Sequence, residues 1–173
     1  EETPTTTALL GEVMKDAGVP DGVFNVVQGY GGDSAGAFLT AHPDVDGYTF
    51  TGETRTGELI MQNAAKGVRD ISLELGGKNA GIVFADCDMD KAIEGTMRSA
   101  FANCGQVCLG TERVYVERSI FDEFVSRLKV EAEKLVIGPP DDAAANLGPL
   151  ISQKQRDKVL SYYQQAVNDG ATV

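Results

Sequence analysis

The chain has 173 residues, 42% of them hydrophobic and 24% charged, and its 26 acidic against 15 basic side chains give a net charge of −11. That is enough chain to bury a core, in a composition ordinary for a globular protein. The acidity excludes the basic footprint that nucleic acid and anionic membrane surfaces require. No apolar run approaches the ~20 residues of a membrane helix, and three cysteines without a secretory leader fit a reducing cytoplasm.

Taken in chain order, Thr3-Pro4 predicts a helix start, with Leu9, Leu10, Val13 and Met14 as its apolar stripe and Gly18-Val19-Pro20 as its stop. Val23-Phe24-Asn25-Val26-Val27 reads as a buried strand. The glycine-rich stretch from Gly29 to Gly36 then runs into a short helix. Tyr48–Thr51 is the next strand, Gly52 leads to a helix over 54–66, and Ile71–Leu75 is a third strand. After the Gly76-Gly77 pair come a strand at Ala80–Phe84 and a helix at Asp88–Phe101, with Ala92, Ile93, Met97 and Phe101 on one face. A strand at Val114–Val116, a helix at Ile120–Leu135, a Gly-Pro-rich loop and a last helix at Ser152–Val167 complete the pattern. Strands alternating with helices predict parallel β-α-β units, hence an α/β fold, with Gly76-Gly77 as the boundary. The ends, Glu1-Glu2-Thr3-Pro4 and Ala171-Thr172-Val173, read as those of a segment from a longer protein.

Two stretches carry the chemistry. Asn103-Cys104-Gly105-Gln106-Val107-Cys108-Leu109-Gly110 is a polar, glycine-punctuated run between a helix and a strand, where reactive side chains are often mounted. A cysteine there is either an activated nucleophile or a small packing residue, and the pattern alone leaves both open. Were the run helical, Cys104 and Cys108 would share a face. In Ser72-Leu73-Glu74-Leu75-Gly76, a carboxylate between two leucines at a strand end is expected to be partly buried, which would raise its pKa and suit a general base. The alternatives are an edge glutamate facing water or a partner of Lys78. A metal site lacks ligands, with one histidine, His42, and no second cysteine pair. His42 reads as a surface or cap residue, and Cys87, between Asp86 and Asp88, is a poor nucleophile.

Together these stretches resemble the aldehyde dehydrogenase family. Leu73-Glu74-Leu75-Gly76-Gly77-Lys78 is similar to its glutamate signature, and Phe101–Cys108 to its cysteine signature. Phe50-Thr51-Gly52 with Gly57 resembles its cofactor-loop motif, and Glu2-Thr3-Pro4, Gly148-Pro149-Leu150 and the order of all five also fit. Within the family, Gly105–Leu109, Thr111–Val116 and Phe50–Glu53 resemble the 2-hydroxymuconic and 2-aminomuconic semialdehyde dehydrogenases, with betaine-aldehyde enzymes sharing much of the pattern.

The resemblance implies a partial Rossmann-like parallel-sheet cofactor domain over 1–77, followed by the start of an α/β catalytic domain over 78–173. It implies oxidation of an aldehyde, with Cys108 as nucleophile and Glu74 as the base that activates water. The oxyanion would be held by the nucleophile's backbone N–H and by an asparagine that would lie ahead of Glu1. NAD is the implied cofactor. Gly32 and Gly36 would lie near the adenosine, and Phe50, Thr51, Gly52 and Glu53 near the pyrophosphate, with Leu75 and Gly76 among the cofactor contacts. Glu53 stands where many relatives carry serine, and its charge would repel a phosphate it faced, so it should point aside. Glu1 falls at a ribose-binding glutamate, which favours NAD over NADP. The implied partners are a small aldehyde and further copies of the full-length chain, as dimer or tetramer, with no metal, nucleic acid or membrane. The 173-residue segment alone is expected to show little or no activity. CoA-acylating relatives form a different reading, against which Glu74 argues because they often lack it.

Overall fold

In the computed structural model, residues 1–172 are described. They form two compact units, Glu1–Leu75 and Gly76–Val173. Both are mixtures of helices and parallel strands.

The first unit begins with helix α1, Pro4–Asp16, whose opening proline has its φ set for the first turn. Gly18 adopts φ 83° beyond its end, and the Val19 N–H closes back onto the Met14 carbonyl at 3.0 Å. A left-handed residue there costs glycine nothing, which is why the helix stops where it does. Helix α2, Ala35–Ala41, strand β1, Gly47–Gly52, helix α3, Thr54–Ala65, and strand β2, Asp70–Leu75, follow. Strands β1 and β2 pair in parallel, Gly47 opposite Asp70 and Gly52 opposite Leu75. Helix α3 crosses between them and buries Gly57, Ile60 and Ala64. Gly57 has no room for a side chain: a Cβ there would stand 2.8 Å from Leu75 Cδ2.

The expected strand at 23–27 is absent. Residues 21–24 form a turn, in which the Val23 N–H reaches the Pro20 carbonyl at 3.2 Å, and 25–30 are irregular. Val23 and Val27 are 71% and 69% exposed. A strand exists through its ladder, and among the described residues none pairs with this run, so apolar content alone does not make it one.

The second unit holds strand β3, Ala80–Val83, helix α4, Met89–Phe101, and strand β4, Arg113–Val116, with β3 and β4 parallel and Ala80 opposite Arg113. Helices α5, Phe121–Ala132, and α6, Gln153–Asn168, complete it. Asp88 caps α4 by accepting from the Lys91 N–H at 3.2 Å. Its hydrogen bonds from Lys91, side chain first and then backbone, hold its carboxyl below the usual range. That cap is therefore present above the ordinary carboxylate range and lost as pH falls through the depressed value. The core is Val83, Ile93 and Phe124, with Met97, Val116, Ile120 and Leu128 packed around it. Phe124 is 1% exposed, whereas Phe121 and Val125 of the same helix face outward. Phe124→Ala should cost this unit about 3–5 kcal/mol, through lost transfer energy and a cavity. A urea titration followed by far-UV circular dichroism checks this; a midpoint equal to wild type would remove Phe124 from the core.

Candidate active site

The first unit brings several of the singled-out residues to one place. In a parallel α/β sheet, ligands collect at the carboxyl ends of the strands. Here the ends of β1 and β2 meet in register, Phe50 opposite Leu73, Thr51 opposite Glu74 and Gly52 opposite Leu75. Glu74 thus sits on the strand beside the Phe50-Thr51-Gly52 run. It is exposed, which bears out the reading of an edge glutamate facing water over that of partial burial. The strand alternates, so Leu73 and Leu75 are half-buried and Glu74 points to the other face. Lys78 is not its partner: the Lys78 ammonium is 2.6 Å from Glu112.

Glu53 occupies the N-cap position of α3, and its carbonyl accepts from Thr56 and Gly57 at 3.0 and 3.1 Å. Its side chain makes no cap hydrogen bond. In the glycine-rich run, a Cβ on Gly36 would lie 3.0 Å from Gly31 Cα, so the loop folds tightly on itself. Gly32, by contrast, has open space where a Cβ would be. Glu1 is exposed, and so is His42, which ends α2 and accepts from the Asp44 N–H at 3.2 Å.

The second unit mounts Cys108. After α4 the chain makes a tight reversal over Ala102–Gly105, with Asn103, Cys104 and Gly105 at φ 50°, 58° and 72°. Two consecutive non-glycine residues in the left-handed region are uncommon and store backbone strain. Because the run is not a continuous helix, Cys104 and Cys108 do not share a helical face. Cys104 is half-buried, its thiol donating to the Gly148 carbonyl at 3.1 Å. Cys108 is exposed. It lies on a turn closed by the Gly110 N–H to the Val107 carbonyl, 2.8 Å. Gly110 is buried, and a Cβ there would meet the Val107 and Ser99 carbonyls at 3.0 and 3.1 Å. Cys87 packs against the Val83–Ile93–Phe124 core.

The turn is tied down by residues that the motif reading passed over. Asn79 Nδ2 donates to the carbonyls of Cys108 and Gly110, at 2.6 and 3.0 Å. The Asn79 carbonyl accepts from the N–H groups of Glu112 and Arg113, both at 3.0 Å. Ser99 and Thr111 hydroxyls meet at 2.6 Å, and Ser99 Oγ also accepts from the Thr111 N–H at 3.0 Å. Gln155 donates to Gln106 at 2.9 Å. The available signal was a polar residue placed directly before a strand, Lys78-Asn79-Ala80, but nothing in the sequence names its partners.

Among the described residues no cluster of His, Cys, Asp and Glu is placed to hold a metal ion. None of the described helices is long and apolar enough to cross a membrane.

Comparison with known proteins bears directly on this arrangement. Residues 1–173 match the aldehyde dehydrogenase family. The whole chain is 80% identical to 2-hydroxymuconic semialdehyde dehydrogenase of Pseudomonas putida, of which it covers 36%. It superposes on an E. coli NADP-dependent enzyme with a TM-score of 0.93 at 43% identity, covering 99% of this chain and 35% of that one. It also superposes on PnpE in complex with nicotinamide adenine dinucleotide, with a TM-score of 0.93 at 40% identity, covering 97% and 34%. The chain spans about a third of the length of the curated relatives it matches.

Proposed function

Because this chain belongs to the aldehyde dehydrogenase family, we propose that its parent protein oxidises an aldehyde to a carboxylate with NAD, using Cys108 as nucleophile and Glu74 as general base. The observation that carries the reading is Cys108 itself: an exposed thiol on a turn clamped from beneath. A thiolate is both a strong nucleophile and a fair leaving group, which a covalent two-step oxidation needs. Cys108 Sγ attacks the carbonyl carbon to give a thiohemiacetal, and oxidation of that adduct leaves a thioester on Cys108. Glu74 takes a proton from the water that hydrolyses it, which releases the carboxylate and frees the thiol.

NAD, when bound, supplies the hydride acceptor. The residues present suit it. Open space at Gly32, the closed Gly36 turn and the paired strand ends at Thr51 and Leu75 offer backbone that a dinucleotide can approach closely, while at Gly52 the Phe50 ring stands 2.6 Å from where a Cβ would be. Phe50, Glu53 and Gly76 flank those positions. Glu1 would accept from ribose hydroxyls and repel a 2′-phosphate, which favours NAD over NADP. On this reading residues 1–77 belong to the cofactor domain and 78–173 to the catalytic domain.

Likeness to the Pseudomonas putida enzyme supports a muconic-type semialdehyde as substrate. The three unpaired thiols support a cytoplasmic location, and the full-length protein is proposed to act as a homo-oligomer. A panel with the full-length protein tests this: 2-hydroxymuconic semialdehyde against betaine aldehyde, NAD against NADP, with and without CoA. The expected result is NADH formation fastest with the semialdehyde, NADPH formation from NADP at least about 10-fold slower, and free carboxylate without CoA. Release of acyl-CoA, with turnover dependent on CoA, would overturn the hydrolytic reading.

A further inference from the structure

We propose that Asn79 is a positioning residue for the nucleophile: its side-chain amide holds the peptide that follows Cys108 and so sets the direction of the Cys108 thiol. The inference rests on the reading of Cys108 as nucleophile. Both hydrogens of one amide are used on one turn, at 2.6 Å to the Cys108 carbonyl and 3.0 Å to the Gly110 carbonyl. The amide is itself anchored, since the Asn79 backbone carbonyl accepts from Glu112 and Arg113 where β4 begins. On either side, Lys78 pairs with Glu112 at 2.6 Å and Arg113 Nε donates to the Lys78 carbonyl at 2.9 Å. The residues before β3 are thus sewn to the residues before β4, and the Cys108 turn is held against that seam.

The physical consequence is specific. The Cys108 carbonyl belongs to the peptide that defines ψ of Cys108. Fixing it fixes ψ, and with it the direction of the Cys108 Cα–Cβ bond relative to the clamped carbonyl. A nucleophile and the donor that meets its oxyanion must be held to a fraction of an ångström, and a misplacement of about 1 Å can cost on the order of 100-fold in rate. The turn's own closure, one hydrogen bond from Gly110 to Val107, is compatible with both type I and type II turns, which differ by a flip of the Cys108–Leu109 peptide. Asparagine also suits the place by being neutral. An aspartate of the same shape would point a carboxylate at two carbonyls and add negative charge at the Cys108 turn, which disfavours the thiolate.

The test uses the full-length protein with Asn79→Ala and Asn79→Asp, the latter keeping size and shape if the alanine variant fails to fold. Three quantities are read: kcat, KM for NAD, and the pH profile of Cys108 alkylation by iodoacetamide, followed by mass of the Cys108 peptide. Asn79→Ala should lower kcat by about 10–100-fold with KM for NAD within about 3-fold of wild type. Asn79→Asp should move the alkylation profile to higher pH, slowing Cys108 alkylation at pH 7 by about 10-fold. A folded variant with wild-type kcat, or an unmoved alkylation profile in Asn79→Asp, would overturn the proposal. Alkylation is read on the thiol directly. A wild-type protein that makes no NADH would therefore sink the dehydrogenase reading while the Asn79 result still stands or falls by itself.

Discussion

Cys108→Ala in the full-length protein should abolish NADH formation, a loss on the order of 10⁴-fold or more in kcat. The size follows from the role. Without the thiol no covalent adduct forms, and no neighbouring group offers an equivalent nucleophile. Cys104 is half-buried with its thiol turned to the Gly148 carbonyl, and Cys87 is packed against the core. NAD binding should survive, because none of the residues proposed for it lies on the Cys108 turn. A fluorescence titration of the variant with NAD separates the two effects. Turnover within about 10-fold of wild type would remove Cys108 from its role, and Cys104→Ala would then be the next variant to measure.

Glu74→Gln should let the first turnover proceed and stop the second. About one equivalent of NADH is released per site, after which the steady rate falls on the order of 10²–10⁴-fold, the range of lost general-base catalysis. Glutamine keeps the size of the side chain and lacks the basic oxygen that accepts the water's proton. The thioester then accumulates and is visible as an acyl adduct on Cys108 by mass spectrometry of the intact protein. Normal steady turnover without an adduct would sink the base assignment. Because Glu74 is exposed on a strand whose other face carries Leu73 and Leu75, the substitution should leave the stability of the first unit nearly unchanged. A kinetic effect would therefore not be a folding effect.

Much of the architecture is legible in the sequence. Helices α1, α3, α4 and α6 form within a residue or two of the ranges expected for them, α1 and α4 on the apolar stripes that signal them. Periodicity registers which face is apolar, and a helix satisfies its own backbone, so local sequence suffices. The failed strand at 23–27 marks the limit. Its valines are as β-prone as those of β4, but a strand also needs a partner's N–H and C=O groups, and periodicity carries no record of partners. Glu74 shows the same limit on a smaller scale. Two flanking leucines suggested burial, yet alternation turns them to one side and the carboxylate to the other.

Of the candidate site, the residue types and their order are readable along the chain: a thiol on a polar turn, a glutamate at a strand end, a glycine-rich run ahead of both. Chemistry restricts which side chains can attack, deprotonate or let a backbone approach, so these were readable as motifs. What supports them follows from tertiary packing. It set Glu74 beside Thr51 through the parallel register of β1 and β2, and it put the Asn79 amide beneath the carbonyls of Cys108 and Gly110. Asn79 lies 29 positions from Cys108 along the chain, and the pairing of β3 with β4 closes that gap. Strand pairing is a non-local bond between backbones. It leaves no periodic trace in either segment, and it is what brings the nucleophile's turn to its clamp.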